Sequence, residues 1–509
     1  MVVVICKERS INLGKYKSKY PIDITTDTFK SQTLNNAHTV NQFLKHSNKH
    51  FPIATVVLSC LLTACVVGPD YVPPTANMPE QWYNKTDNQK NSAPADLATW
   101  WTTFNDPQLS QLIQQALANN LDLKKAAARI REARAQEGVA RADYFPKINS
   151  SGTVGQNHQG TTAERNGHYT LGLDASWEID IFGRIARSVE SAEATIEAME
   201  ANYQNVQVIL LGDVALNYVQ MRTLQTRLQV AEDNLKAQSA IYQLSLWRWQ
   251  AGLTSKLDAE QALTSVEQLQ AQIPSLKNQI AQNQHQIAVL LGVTPASLNA
   301  QLNNARPIPA AALKIAVGVP ADVLRQRPDI KQAERELAAQ TAQIGVATAA
   351  KYPKLALSGS IGLDAIKTAN FFSTAGLIDS LLGKLTFPIF NAGQIRQNIE
   401  VQNAKQQQAL ANYEATVLIA LKDVENALVG LVQEQQRLEE LNRAVQTAQR
   451  AMLLAKKQYL SGLTDFQNVQ QTQRNLLSLQ DQYASSQGQL TAYMISLYKA
   501  LGGGWKSLS

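Results

Sequence analysis

Cysteine and histidine are scarce in this sequence of 509 residues, which contains three cysteines and six histidines. Two of the cysteines, Cys6 and Cys60, lie in an N-terminal segment that we expect to be removed from the mature protein. Cys65 alone then remains, which excludes disulfide bonds and thiolate metal sites. The histidines beyond it are not spaced like metal ligands, so the sequence predicts neither a metal site nor a metal cofactor.

Long hydrophobic runs are also missing, because no stretch of eighteen uninterrupted apolar residues occurs. This excludes helices that span a bilayer. The chain is 45% hydrophobic and 17% charged, which argues against wholesale disorder. No strand–turn–serine elbow is present, and the glycines at 502–504 lack the spacing of a phosphate loop. We therefore expect no enzymatic activity.

The formal net charge of +6 is concentrated at the N-terminus. Residues 1–64 hold eight of the 47 basic residues and three of the 41 acidic ones, so residues 65–509 carry a net charge of only +1. A neutral body of this kind does not predict binding to nucleic acid.

Residues 1–64 read as a doubtful N-terminal extension followed by a signal peptide. The basic run Lys45–His50 precedes the apolar segment Phe51–Ala64, which ends in Leu62-Thr63-Ala64-Cys65. This ending resembles the lipobox of bacterial lipoproteins, which implies cleavage before Cys65 and covalent lipid on that residue. Val66 at the following position, by the rule for such lipoproteins, implies sorting to the outer membrane. A plain secretory peptide with a chance cysteine is the alternative.

Three sequence matches in order indicate that residues 65–509 contain two copies of one unit. Residues 138–147 recur at 345–354, Ala251–Thr254 recurs as Ser461–Thr464, and Leu291-Gly292 recurs as Leu501-Gly502. The offsets of 207 and 210 residues are far longer than a solenoid repeat, so we interpret them as a duplication. The predicted copies span 106–306 and 307–509, after an N-terminal arm at 65–105.

Each copy predicts a pair of strands. Residues 169–180 alternate fully, with apolar residues at odd positions and polar ones or glycine at even positions. Residues 355–364 alternate in the same way, and the weaker partners are 146–155 and 381–390. The two strand regions therefore cover about 147–180 and 354–390, long enough to cross a bilayer as strands. Four strands cannot close a wide barrel, so they form either a small soluble sheet or part of a barrel built by several chains.

Each copy also predicts a long helix and a shorter one that returns antiparallel to it. No proline occurs in residues 184–250 or 394–460, and about 67 residues of helix measure about 100 Å. The helical regions cover about 184–291 and 393–501. Apolar residues average one per 3.5 positions, the spacing of a coiled-coil seam; they are Val214, Tyr218, Met221, Leu224, Leu228, Ala231 and Leu235 in the first copy, and Val417, Leu421, Val424, Leu428 and Leu431 in the second.

Several motifs resemble the outer-membrane factors of tripartite efflux and type I secretion systems, the TolC-like and OprM-like proteins. Residues 65–74 are similar to the mature N-terminus of the lipoprotein branch. Residues 177–184 resemble its strand-to-helix junction, with 388–393 as the second-copy counterpart. Arg327-Pro328-Asp329-Ile330 resembles the start of its second copy. The resemblance covers essentially all of residues 65–509.

This resemblance implies a mixed α and β membrane protein that is a homotrimer. Three chains with four strands each would form a twelve-stranded barrel in the outer membrane of a Gram-negative bacterium, continuous with a long periplasmic α-helical barrel. The implied function is a passive exit duct for drugs or other small toxic compounds, joined through a periplasmic adaptor to an inner-membrane, proton-driven pump. A duct for type I protein secretion and a periplasmic coiled-coil scaffold lipoprotein are the alternatives.

The family closes its periplasmic tip with turns that carry acidic residues facing the lumen, which makes Asp258, Asp465, Asn468 and Gln471 candidate gate residues. Three copies of Asp258 around a narrow axis would select cations and bind divalent ions. The alternative is a capping box formed by Ser255 and Asp258, which stabilises a helix without a channel role. The family usually has acids where this chain has Asn468 and Gln471.

Three polar residues of the second predicted strand and its end are candidates for the lining of the pore: Asp174, Glu178 and Asp180. In a soluble sheet they would merely face water. The only covalent group that the sequence predicts is the lipid on Cys65.

Overall fold

The computed structural model of the protein describes residues 66–75, 79, 81–83, 97–157, 166–310, 325–367 and 371–505. Cys65 and the predicted signal peptide lie outside the described residues. The helices are α1 Pro107–Asn119, α2 Leu121–Ala142, α3 Arg184–Gln250, α4 Lys256–Leu290, α5 Asn299–Leu302, α6 Pro328–Ala349, α7 Gln394–Leu460 and α8 Phe466–Ala500. The strands are β1 Lys147–Asn157, β2 Asn166–Ile179, β3 Lys354–Ala365 and β4 Leu377–Thr386. Short 3-10 segments occupy Leu97–Phe104, Pro295–Leu298 and Thr374–Gly376.

The chain divides into two compact units. The sheet unit combines Arg141–Ser188 and Ile344–Ile399 with the segment that ends at Pro69, and the helical unit contains the rest. Each unit therefore takes residues from both predicted copies, and the copy boundaries at 306 and 307 stay a prediction.

The sheet unit contains one antiparallel sheet with the strand order β1-β2-β3-β4. Within the described residues, β1 and β4 each pair with a neighbour on one side only. The prediction of four strands is confirmed. The predicted position of the fourth strand, 381–390, was wrong by four residues, because β4 begins at Leu377 and Pro388 lies beyond its end.

The helical unit confirms the two long helices that the sequence predicted. Both α3 and α7 contain 67 residues, and their bounds are those of the proline-free segments. The predicted seams lie in the core, where Val214, Tyr218 and Met221 of α3 and Val424 and Leu428 of α7 are fully buried. Among the described helices, none combines the length and apolar character that a membrane-spanning helix needs.

The two copies provide a hydrogen-bond donor to the end of the returning helix from different residues. The last carbonyls of a helix have no partner inside the helix. The Asn120 amide donates to the Leu290 carbonyl at the end of α4 at 2.8 Å, and Arg327 Nη1 donates to the equivalent Ala500 carbonyl at the end of α8 at 2.8 Å. The Arg327 guanidinium is also held by both carboxylate oxygens of Asp329, at 3.1 and 2.7 Å.

This difference predicts unequal costs of removing the two caps. Asn120→Ala removes the hydrogen bond to the Leu290 carbonyl and also the two that Asn120 Oδ1 accepts from the Asp122 and Leu123 amides, at 2.8 and 3.0 Å, at the start of α2. It should lower the free energy of unfolding by about 2 kcal/mol. Arg327→Ala also leaves the Asp329 carboxylate without its cation, so we expect about 3–4 kcal/mol. Denaturant unfolding followed by circular dichroism measures both. Equal losses in the two variants would contradict the role of the Arg327–Asp329 pair.

Candidate functional site

The turns that join the paired helices have the same backbone in both copies. Gly252 follows α3 with φ +72°, and Gly462 follows α7 with φ +71°. The Leu253 amide donates back to the Arg248 carbonyl at 2.7 Å, and the Leu463 amide donates to the Gln458 carbonyl at 2.8 Å. These are the bonds of a Schellman motif, in which glycine adopts a left-handed conformation at low cost.

These turns present leucine to solvent. The side chains of Leu253 and Leu463 are 67% and 79% exposed, although leucine is normally buried. The same motif thus places one exposed apolar side chain at the end of each helical pair. We call Leu253 and Leu463 the tip leucines.

Each returning helix begins with a side-chain cap, and the two caps differ. In the first copy Ser255 Oγ accepts from the Asp258 amide at 3.3 Å, and the Asp258 carboxylate accepts a short hydrogen bond from the Thr254 hydroxyl. Ser255 therefore provides the cap, and Asp258 lies in the first turn, where a negative charge suits the helix dipole.

In the second copy the acid itself is the cap. Asp465 Oδ1 accepts from the Asn468 amide at 3.0 Å, and the Asn468 side chain donates to the Thr464 hydroxyl at 2.7 Å. Gln471, one turn further, accepts from Arg474 at 3.4 Å. The structure brings the candidates Asp465 and Asn468 together, whereas Gln471 belongs to the next turn.

An aromatic cluster that the sequence analysis missed lies behind the turns. The Arg248 guanidinium stacks over the Tyr459 ring at 4.6 Å, and that ring contacts Phe466 at 5.6 Å between centroids. Burial raises the pKa of the Tyr459 phenol, although Thr254 and the Arg248 guanidinium act in the opposite direction. Arg248 thus links α3 to α7. No motif marked it, because the two residues are 211 positions apart.

The sheet separates apolar from polar side chains. Residues that pair directly share a face, so the strand register assigns each face. One face is mainly apolar and contains Ile148, Val154, Leu171, Leu173, Trp177, Leu355, Leu357, Ile361, Leu363, Leu381 and Leu385. The other is rich in hydroxyl and amide groups and contains Asn149, Ser151, Thr153, Thr170, Asp174, Ser176, Ser358, Ser360, Asp364 and Ser380.

Of the three candidate pore residues, only Asp174 lies on this polar face and takes no part in positioning the start of α3. Asp174 lies in the middle of β2 and accepts a hydrogen bond from Ser151 at 3.2 Å. Glu178 forms an ion pair with Arg184 Nε at 2.8 Å. Asp180, beyond the end of β2, accepts from the Ala186 amide at 2.8 Å and so satisfies a donor in the first turn of α3. Glu178 and Asp180 therefore position the start of α3.

The described residues contain no group of three or more His, Cys, Asp or Glu side chains that could hold a metal ion. What the structure does offer is a two-faced sheet and a pair of tips with exposed leucines.

Comparison with known proteins assigns the chain. Residues 112–293 and 319–503 match the family model "Outer membrane efflux protein". Nodulation protein T of Rhizobium leguminosarum bv. viciae is 33% identical over 460 residues, which covers 89% of this chain and 94% of that protein. The solvent efflux pump outer membrane protein SrpC of Pseudomonas putida is 32% identical over 460 residues, covering 87% and 96%.

A solved structure of the outer-membrane channel OprN superposes with a TM-score of 0.80 at 36% sequence identity, covering 87% of this chain and all of that one. The mixed α and β fold of such channels and the outer-membrane location are thereby confirmed. The chain belongs to the outer membrane efflux protein family and is an outer-membrane channel for efflux.

Proposed function

We propose that three copies of this chain assemble into a passive exit duct whose four-stranded sheets close into a single twelve-stranded barrel. The observation that carries this proposal is the sheet itself, which has one apolar face, one polar face and two outer strands that each pair on one side only. Unpaired strand edges are costly in lipid, so a membrane sheet must close. Four strands enclose no passage, whereas three sheets of four do.

In this arrangement the apolar face contacts lipid and the polar face lines the water-filled lumen. Asp174 then lies in the lumen. The duct carries out no reaction, and the driving force comes from an inner-membrane pump. The cargo is a small compound, and the pump selects it, because a lumen lined mainly by small hydroxyl and amide side chains offers few specific contacts.

Covalent lipid on Cys65 is part of the proposal. The Val67 amide donates to the Phe182 carbonyl at 3.3 Å, and Arg187 Nε donates to the Val67 carbonyl at 3.2 Å. These bonds hold the residues after Cys65 beside the end of β2. A lipid there would be near the membrane surface at which the strands end, and several acyl chains anchor a protein stably.

The tip leucines are the surface that we assign to the periplasmic adaptor. They are exposed, apolar and repeated in both copies. Burying one leucine contributes about 1.5–3 kcal/mol. The double variant Leu253→Ser and Leu463→Ser should therefore abolish adaptor binding in a pull-down with purified adaptor. Leu453→Ser, on the exposed surface of α7, is the control, and equal binding by both proteins would contradict the assignment.

Single-channel recording of the purified protein in a planar bilayer tests the duct directly. We expect discrete openings that prefer cations, from a protein whose mass in detergent is that of a trimer. A monomeric mass, or no conductance from folded trimer in any gate variant, would contradict the proposal.

Asp258 gives the gate variant. Because Ser255 caps α4, Asp258→Asn should leave the fold intact while it removes three charges from the trimer axis. We expect block of the current by divalent cations to weaken about tenfold, the result of losing about 1.4 kcal/mol of ion binding. Glu260→Gln, on the same helix and 3.6 Å from Lys256 Nζ, removes a charge outside the candidate gate residues and is the matched control. Unchanged block in Asp258→Asn would leave Asp258 with its helix-stabilising role alone.

A further inference from the structure

The polar exceptions on the apolar face of the sheet occur on its two outer strands. Ser150 and Gln156 of β1 and Asp379 of β4 share this face with the leucines. In the register, Asp379 pairs with Ile361, which pairs with Leu173. A carboxylate among leucines on a lipid-facing surface is unfavourable without a donor or water.

The four strands are also staggered relative to one another. The midpoint of each strand can be followed from one paired residue to the next until it reaches a position on β1. Expressed as residue numbers of β1, the midpoints lie at 152 for β1, 150.5 for β2, 148.5 for β3 and 147.5 for β4. The drift is therefore about 1.5 residues per strand, in one direction. Such a drift is the stagger that a closed barrel requires.

We propose that β4 of one copy pairs antiparallel with β1 of a second copy at a stagger of six residues, which places Asp379 opposite Gln156 of the partner subunit. The value of six is the observed drift continued over the four strands of one chain. The proposal rests on the trimeric duct and adds the residue contacts of its seam.

Closure of the barrel agrees with this stagger. Six residues per chain give a total shear of about 18 for twelve strands, and strand spacings of about 4.8 Å and 3.3 Å then set a tilt of about 45°. A stagger of zero would leave the strands without tilt. A stagger of six in the opposite direction would carry β4 past the end of β1 and leave the edges unpaired.

The same stagger accounts for Asp379. It brings this residue level with the last residues of the neighbouring β1, at the outer end of the strands, where water and lipid headgroups replace hydrocarbon. There the amide of the partner's Gln156 donates to the Asp379 carboxylate, a charge-assisted hydrogen bond. Leu381 meets Val154 in the next apolar pair, so the seam continues the apolar face.

Cysteine cross-linking tests the register. Asp379→Cys combined with Gln156→Cys should give covalent dimers and trimers with a bifunctional thiol reagent of about 5 Å span, because opposed Cβ atoms are about 5 Å apart. Asp379→Cys with Ser150→Cys, the pairing without stagger, separates the thiols by about 20 Å and should not link. Asp379→Cys with Gly152→Cys, four residues off and about 14 Å away, is the closer control. The parent protein checks that Cys65 contributes no link.

Linkage of the Ser150 or Gly152 pair in assembled trimers, or of none of the three pairs, would overturn the register and leave the trimeric duct standing. Absence of trimers and of conductance in the parent protein would instead contradict the duct itself. A second measurement does not depend on cysteine. Gln156→Glu should oppose two carboxylates and lower the temperature at which trimers dissociate on gels at pH 7.5, whereas Gln156→Ala should lower it less. Equal effects of the two variants would count against the contact.

Discussion

Replacement of Arg222 by alanine is expected to lower the free energy of unfolding by about 3–5 kcal/mol, the cost of lost core packing and of buried hydrogen-bond acceptors left without their donor. Arg222 is fully buried in the helical unit. Its Nη1 donates to Gln225 Oε1 at 2.5 Å and to the Asn304 carbonyl at 2.8 Å, and its Nη2 forms a short hydrogen bond to Gln108. Removing the guanidinium takes the donor from Gln225 Oε1 and from the Asn304 carbonyl, and leaves Gln108 Oε1 with a longer hydrogen bond from the Tyr218 hydroxyl at 3.3 Å.

Tyr218 extends this network. The Arg222 guanidinium lies 4.9 Å from the Tyr218 ring centre, and the Tyr218 hydroxyl donates to Asp106 Oδ2 at 2.8 Å. Burial raises the pKa of Tyr218 to about 12, so this phenol stays neutral and keeps donating at any pH the cell experiences.

Denaturant unfolding measures the effect, and Arg227→Ala is the matched control. Arg227 also lies on α3 and forms two hydrogen bonds to Asp481, at 2.7 and 3.0 Å, but both side chains are partly exposed. Water replaces such a partner at little cost, so we expect about 1 kcal/mol. A loss in Arg222→Ala no larger than in Arg227→Ala would mean that the buried network contributes little.

The second large effect is expected from Gly68→Ala, which should release the segment at 66–69 from the sheet unit. A Cβ at this position would lie 2.5 Å from Gly345 Cα, and the backbone has φ +99°. Neither the clash with backbone nor the strain can be relieved by a side-chain rotation. The bonds from Arg187 to the Val67 and Gly68 carbonyls would be lost together.

Hydrogen exchange of the Val67 amide reports this release, because that amide is bonded to the Phe182 carbonyl. We expect exchange to accelerate at least about a hundredfold, equivalent to about 3 kcal/mol. Gly252→Ala is the control that has the backbone strain without the steric clash. The φ angle at Gly252 is +72°, and nothing lies within 4 Å of an added Cβ. That variant should lose about 1 kcal/mol and leave the Val67 amide protected. Continued protection of the Val67 amide in Gly68→Ala would contradict the close packing of Gly68 against Gly345.

The long helices and the strands could be predicted because their signals are local. Proline-free segments set the bounds of α3 and α7, and alternation over 169–180 marked β2. The position of β4 was harder to predict, because residues 377–386 mix leucine with Asp379, Ser380 and Lys384, and the apolar and polar residues alternate only weakly. Strand pairing with β3 decides the register there, and pairing is not visible in one segment.

The chemistry of the site was only partly predictable for a related reason. A carboxylate next to a helix start can cap it, pair with a cation or face a lumen, and the sequence is the same in all three cases. Asp180 and Glu178 proved to hold the start of α3, while Asp174 remained on the open polar face. The Arg222 network joins residues 108, 222 and 304, so no local pattern indicated it.

The caps at Asn120 and Arg327 have a consequence for how the two halves can evolve. A gene duplication begins with interchangeable halves, yet these halves now end their return helices with different chemistry. The second half depends on a cation, Arg327, that needs Asp329 beside it, and a second carboxylate, that of Asp423, lies 3.7 Å from Arg327 Nη2. In a chimera built from two first halves, Asn120 would replace Arg327 and leave the carboxylates there without a cation. In a chimera built from two second halves, the arginine would take the place of Asn120. The two halves are therefore no longer interchangeable.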